Sequence, residues 1–148
     1  MSRLLASTPG AAQPRKPKVL FVCVGNAVRS QMAEAFAKVY GKDVMEPVSG
    51  GMSPASSLMP LTRKVMSQRG IDVSLHYPKS IFDAPGGPFD VIVNISGMPL
   101  PRQFQPRLYR EWDVRDPVLD PEPEYERVAT QIESLVMQLV LELRRGSD

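Results

Sequence analysis

The stretch that decides the fold is VLFVCVGNAVRSQMAEAFAKVY, residues 19–40. Its first four residues are apolar and mostly β-branched or aromatic, which is typical of a strand buried on both faces of a parallel sheet. Residues 30–40 have apolar side chains at helical spacing, and Gly41 follows as a stop signal. Residues 23–29 connect the two segments as a loop. The stretch therefore predicts a strand, a loop and a helix in succession.

The rest of the chain continues this alternation. We expect a weak second strand at 45–49, a helix at 60–69 between Pro and Gly signals, and a third strand at 89–95. Residues 109–114 are the candidate for a fourth strand. A long helix is predicted over 123–145, where apolar residues recur at spacings of three and four. Alternating strands and helices predict an α/β fold with a mainly parallel sheet.

Charge and composition indicate one domain after a basic leader. The chain has 148 residues, with 18 Lys and Arg against 16 Asp and Glu. Four basic and no acidic residues lie in the first 18, so residues 19–148 carry a net charge of −2. We expect residues 1–17, rich in Pro and small residues, to be a disordered basic leader and residues 18–148 to form the domain.

The same composition excludes several partners. No face is basic enough to predict nucleic-acid binding, and no apolar run is long enough to span a membrane. The start of the chain has no apolar core of a secretory signal, so we expect a cytoplasmic protein. The predicted oligomeric state is a monomer or a weak dimer.

Cysteine and histidine usage narrows the chemistry. The chain has one cysteine, Cys23, and one histidine, His76. An internal disulfide, a thiol relay within the chain and a Cys-rich or His-rich metal centre are excluded, and we expect no cofactor. Cys23 is therefore either a packed apolar residue or a reactive group that acts without a second thiol of this chain.

The loop after the first strand is suited to bind an anion. Its backbone N–H groups can converge with the positive end of the helix dipole. Gly25 permits close approach of the backbone, and Asn26 tolerates the left-handed region. Arg29 offers a guanidinium fork that matches two oxygens of a tetrahedral anion. Cys23 faces the same positive cup, which favours its thiolate form.

Residues 19–35 resemble the signature of the low-molecular-weight protein tyrosine phosphatase superfamily, which includes thioredoxin-coupled arsenate reductases. The resemblance continues through residues 49–51, 69–76, 89–93 and 112–117. It covers about residues 18–145. It implies a three-layer α/β fold with a four-stranded parallel sheet of order 2-1-3-4, in flavodoxin-like winding, flanked by helices.

The resemblance also implies the catalytic residues. Cys23 is the nucleophile, Arg29 binds the phosphoryl oxygens, and Asp116 of an Asp-Pro pair is the general acid. The residues themselves leave Asp113 and Asp120 open as alternatives for the acid. The implied reaction is phosphomonoester hydrolysis through a phosphocysteine, with Asp116 protonating the leaving oxygen and then activating water.

Two loop residues have supporting roles in this resemblance. Ser30 assists the thiolate by a hydrogen bond, and Asn26 holds the geometry of the loop. The predicted residues that bind phosphate or another oxyanion are Val24, Gly25, Asn26, Ala27, Val28, Arg29 and Ser30. The main hypothesis is a protein tyrosine phosphatase whose substrate is a phosphorylated protein or a small phosphomonoester.

Departures from the family pattern support an alternative. Val118 stands where typical phosphatases have an aromatic residue, and residues 52–59 contain no ring, so walls for a phosphotyrosine are missing. Arsenate is isosteric with phosphate and fits the same cup. The alternative is an arsenate reductase with one cysteine that depends on an external thiol or a glutaredoxin-like partner. A non-catalytic module that binds oxyanions or phosphopeptides is the third hypothesis.

Overall fold

The computed structural model describes residues 15–146. Residues 1–14, most of the predicted leader, and residues 147–148 lie outside the described part. Residues 15–17, counted with the leader above, lie against the domain. Arg15 Nη1 donates to Asp90 Oδ2 at 3.0 Å, and the Glu46 N–H donates to the Pro17 carbonyl at 2.9 Å.

Four strands form one parallel sheet. They are β1 (Lys18–Cys23), β2 (Glu46–Gly51), β3 (Val91–Asn94) and β4 (Leu108–Glu111), arranged in the order β2-β1-β3-β4. This confirms the predicted sheet and its 2-1-3-4 order. β4 is shorter than the predicted 109–114 because the chain leaves the sheet after Glu111 and continues along its carboxyl edge.

The three helices of the described part lie near their predicted positions. They are α1 (Arg29–Tyr40), α2 (Pro60–Gln68) and α3 (Glu122–Gly146). Gly70 follows α2 with a φ of 79°, a left-handed conformation that favours glycine after a helix. The bounds of the helices predicted from the sequence therefore agree with the structure to within a few residues.

The two faces of the sheet are covered differently. The larger core packs side chains from all three helices, such as Phe36, Met66 and Ile132, against Val19 and Phe21 of β1. The smaller core lies on the other face, and its buried members are Leu20, Val22, Ile81 and Ile92. Segments without helix, among them residues 81–89 and 100–104, pack on that second face. The third layer of the fold is therefore built of loops.

Candidate active site

The segment after β2 forms backbone hydrogen bonds with the loop that follows β1 and fixes its position. The N–H groups of residues 52, 53 and 55 donate to the carbonyls of Cys23, Val24 and Gly25 at 3.0, 2.8 and 2.9 Å. A side chain at Gly51 would place a Cβ 2.7 Å from the Val24 carbonyl oxygen. Glycine at the end of β2 therefore permits the close approach that shapes the loop.

Asn26 is the centre of the loop. It is fully buried, and its φ of 52° lies in the left-handed region that asparagine tolerates. Its Nδ2 donates to Ser30 Oγ at 2.7 Å and to Ser49 Oγ at 3.0 Å. Its Oδ1 accepts from Gln31 Nε2 and from the Lys79 N–H, both at 3.0 Å. The loop conformation thus depends on partners from four separate positions in the chain.

The donors and acceptors of these hydrogen bonds can be assigned, and the assignment directs the Ser30 hydroxyl proton to Cys23. The Ser49 hydroxyl donates to buried Glu34 at 2.6 Å, so it accepts from Asn26. Ser30 also accepts from Asn26, which leaves its hydroxyl proton for Cys23 Sγ, 2.8 Å from Ser30 Oγ. The Asn26 N–H donates to the same sulfur at 3.2 Å. Two hydrogen-bond donors therefore converge on the Cys23 sulfur.

Arg29 is fixed from the other side of the loop. Its side chain is buried, and Nη1 donates to the carbonyls of Ile95 at 2.8 Å and Val114 at 3.0 Å. Its Nη2 lies 3.5 Å from Asp116 Oδ2. The guanidinium is therefore anchored to the segments that follow β3 and β4, and its Nη2 lies near the Asp116 carboxylate.

A small cavity of about 80 Å³ brings the predicted catalytic residues together. Cys23, Arg29 and Asp116 line it, along with Gly25, Ala27, Val28, Ala55, Met59 and Val118. The two other candidate acids lie elsewhere. Asp120 forms an ion pair with Arg115 at 2.8 Å, and Asp113 lines a separate, larger cavity. Of the three acidic residues, Asp116 is the one that lines the same cavity as Cys23.

Sequence reasoning missed the residues that support the loop from below, namely Glu34, Ser49, Gln31, His76 and Lys79. His76 Nδ1 lies 2.9 Å from Gln31 Oε1, so the single histidine belongs to the network around Asn26. Burial lowers the pKa of His76, and the nearby Glu34 carboxylate partly opposes this. Burial likewise lowers the pKa of Lys79, whose Nζ lies 4.0 Å from Glu34. No local sequence signal indicates these contacts.

Residues 15–146 contain neither a metal site built from acidic, cysteine and histidine side chains nor a membrane-spanning helix. No group of three or more His, Cys, Asp or Glu side chains within this range is arranged to hold a metal ion. None of its helices combines the length and apolar character needed to cross a membrane.

Comparison with known proteins identifies the family. The model of the low molecular weight phosphotyrosine protein phosphatase family matches residues 18–148. A glutaredoxin arsenate reductase of Synechocystis sp. is 29% identical over 85% of this chain and 98% of its own length. Arsenate reductase 2 of Staphylococcus haemolyticus is 30% identical over 82% and 94%.

A solved structure described as an arsenate reductase in the phosphate binding state superposes with a TM-score of 0.79 at 28% identity, covering 86% of this chain and 98% of its own. The names of these relatives favour the arsenate reductase alternative over the tyrosine phosphatase hypothesis. The chain belongs to the low molecular weight phosphotyrosine protein phosphatase family and is an enzyme of that superfamily.

Proposed function

We propose that this protein is an arsenate reductase that uses Cys23 as its only thiol and takes electrons from an external thiol. One observation carries the proposal. The cavity above Cys23 has a volume of about 80 Å³, and none of the described residues that line it is aromatic, which suits a free tetrahedral oxyanion. The arsenate reductases among its relatives support the same reading. A cytoplasmic location, where thiols stay reduced, is part of the proposal.

The first step forms a bond between sulfur and arsenic. The Cys23 thiolate attacks arsenic, the bond from arsenic to a hydroxyl breaks, and Asp116 supplies the proton with which that hydroxyl leaves as water. Arg29 and the backbone N–H groups of the loop neutralise the remaining oxygens. The product of this step is arsenate held covalently on Cys23.

The external thiol then attacks arsenic, because Cys23 is only 2% exposed and its sulfur is hydrogen-bonded to Ser30 and Asn26. Asp116, now a carboxylate, accepts the proton of the thiol. A new bond from sulfur to arsenic forms, the bond to Cys23 breaks, and Cys23 leaves as a thiolate stabilised by the Ser30 hydroxyl.

A second external thiol completes the reduction. It attacks the sulfur of the thiol–arsenate conjugate, a disulfide forms, and the electron pair of the broken bond stays on arsenic. Arsenic passes from the pentavalent to the trivalent state, and two thiols become one disulfide. Small thiols or a glutaredoxin-like protein can supply both equivalents.

Phosphomonoester hydrolysis is the second candidate function. The observation that favours it is that Cys23, Arg29 and Asp116 line one cavity, and these residues are sufficient for hydrolysis when water replaces the thiol.

The experiment measures arsenite formation from arsenate with 2-mercaptoethanol, glutathione or a glutaredoxin system, and phosphate release from p-nitrophenyl phosphate. We expect the wild type to form arsenite only when thiol is present. Cys23→Ser should form none while keeping a native melting transition. If the wild type releases phosphate but forms no arsenite with any thiol, the protein is a hydrolase and the proposed reductase function is wrong.

A further inference from the structure

A second, larger cavity lies beside the anion site. Its volume is about 520 Å³, and it lies at the carboxyl ends of β3 and β4, the edge where open parallel sheets bind their ligands. It is lined by Arg29, Asn94, Ile95, Ser96, Gly97, Glu111, Trp112, Asp113 and Val114. A volume of this order suits a small organic molecule and exceeds what a lone oxyanion fills.

Arg29 connects the two cavities. It lines both of them, and the two carbonyls that hold its guanidinium, those of Ile95 and Val114, belong to residues that line the larger one. Asp116, two residues after Val114, lines the smaller one. A molecule seated in the larger cavity is therefore next to the arginine that binds the oxyanion.

One side of the larger cavity is held by the hydrogen bonds of Asn94. Asn94 is buried, and its Oδ1 accepts from the Ser96 N–H at 3.0 Å and from the Ser96 hydroxyl at 2.6 Å. Its Nδ2 donates to the Met98 carbonyl at 2.7 Å and to the Tyr109 hydroxyl at 3.1 Å. The asparagine holds the turn after β3 in one conformation.

Two acidic residues of the lining, Glu111 and Asp113, give the cavity negative charge, and Glu111 accepts a hydrogen bond from the Tyr109 hydroxyl at 2.8 Å. Glu111 and Asp113 are both exposed. Arg29, the only cation among the described residues that line the cavity, already donates to two carbonyls. The Asp113 carboxylate makes no hydrogen bond within residues 15–146. Trp112, which is half-buried and also lines the cavity, stands between these two acids in the sequence. The cavity is therefore suited to neutral or cationic molecules and repels anions.

We infer that the larger cavity binds the body of the external thiol, and that Glu111 and Asp113 select thiols without net negative charge. This inference rests on the proposed arsenate reduction, in which a thiol must reach arsenic bound beside Arg29. The thiol group then points into the smaller cavity, and the rest of the molecule lies along Trp112.

The test compares three small thiols that differ in charge: cysteamine, 2-mercaptoethanol and 3-mercaptopropionate. For each thiol, kcat/KM for arsenite formation is measured with the wild type and with Asp113→Asn. The ratio of the two values for one thiol cancels its intrinsic reactivity. Glu46→Gln, which removes one exposed carboxylate at the opposite end of the sheet, is the matched control.

We expect Asp113→Asn to raise kcat/KM for 3-mercaptopropionate roughly fivefold and to lower it for cysteamine by a similar factor. The value for 2-mercaptoethanol should stay within about twofold, and Glu46→Gln should change none of the three. A structural defect would lower all three values together. If Asp113→Asn does not fold, Glu111→Gln is expected to give the same pattern.

The outcomes separate this inference from the proposed function. If no thiol supports arsenite formation by the wild type, arsenate reduction itself is wrong, and the thiol site with it. If arsenite is formed but Asp113→Asn changes kcat/KM for the three thiols equally or not at all, the inference of a thiol site is wrong and the proposed arsenate reduction stands.

Discussion

Replacing Asn26 by alanine tests how the buried network controls the cysteine. The side chain donates to Ser30 and Ser49 and accepts from Gln31 and Lys79, at distances between 2.7 and 3.0 Å. Alanine removes all four hydrogen bonds and leaves a β-carbon at a φ of 52°. Among these partners, the Lys79 N–H loses the only acceptor it has within residues 15–146.

The expected loss of stability follows from these contacts. A buried donor without an acceptor costs about 1–3 kcal/mol, and each of the three other bonds contributes about 1 kcal/mol. Alanine in the left-handed region adds about 1 kcal/mol. Because the bonds share one network, their contributions do not add, and we expect a total loss of about 4 kcal/mol. A domain with a free energy of unfolding of about 5–15 kcal/mol still folds after this change.

The assay combines urea unfolding, binding of inorganic phosphate and turnover. Without Asn26, the Ser30 hydroxyl is no longer directed at Cys23, so turnover should fall by roughly 10- to 100-fold. Ile132→Ala is the control, because this fully buried α3 residue makes no hydrogen bond to the loop and its truncation costs about 2–5 kcal/mol. Its phosphate affinity should stay within about twofold of the wild type.

Two results would refute this reasoning. One is an Asn26→Ala protein that loses less than about 1 kcal/mol of unfolding free energy. The other is a protein that loses the expected stability but turns over as fast as the Ile132→Ala control. In the second case, Asn26 would support the fold without influencing the Cys23 sulfur.

Three further predictions follow from single contacts. Arg29→Lys cannot reach both carbonyls that hold the guanidinium, so phosphate binding measured by calorimetry should weaken by at least about tenfold. Gly51→Ala forces a Cβ to within 2.7 Å of the Val24 carbonyl oxygen, and thermal melting should show a loss of about 1–3 kcal/mol. A hydrogen bond from the Lys18 N–H lowers the pKa of Asp90. The ionised carboxylate therefore stabilises the fold at neutral pH, and this contribution is lost as the pH falls through the lowered pKa. Urea unfolding should show Asp90→Asn to be less stable by about 1 kcal/mol at pH 7 and equal to the wild type near pH 2.

The fold was largely predictable because its signals are local. The buried strand before Cys23 and the helix after Arg29 follow from residues that are neighbours in the chain. The ends of β3 and β4 were less predictable because apolar residues continue past the paired segments. The loop layer on the second face of the sheet carries no periodic pattern, so its packing could not be predicted from the sequence.

The candidate site divides in the same way. The spacing from Cys23 to Arg29 and the Asp-Pro pair were readable, but three acids remained open for one role. The structure separates them by contact, since Asp116 lines the Cys23 cavity, Asp113 lines the larger one and Asp120 pairs with Arg115. These contacts depend on how the segment after β4 crosses the edge of the sheet.

By itself, the sequence determined the parallel sheet, the anion-binding loop and the need for an external thiol in any reduction. Periodicity, the residues of one loop and the count of cysteines are properties of the chain before it folds. Only the tertiary structure decided which groups hold Asn26, how Ser30 is directed at Cys23, and that a second cavity adjoins Arg29. Ser49 and Lys79 are 23 and 53 residues from Asn26 in the chain, and they meet it only when β2 and the loop layer pack together.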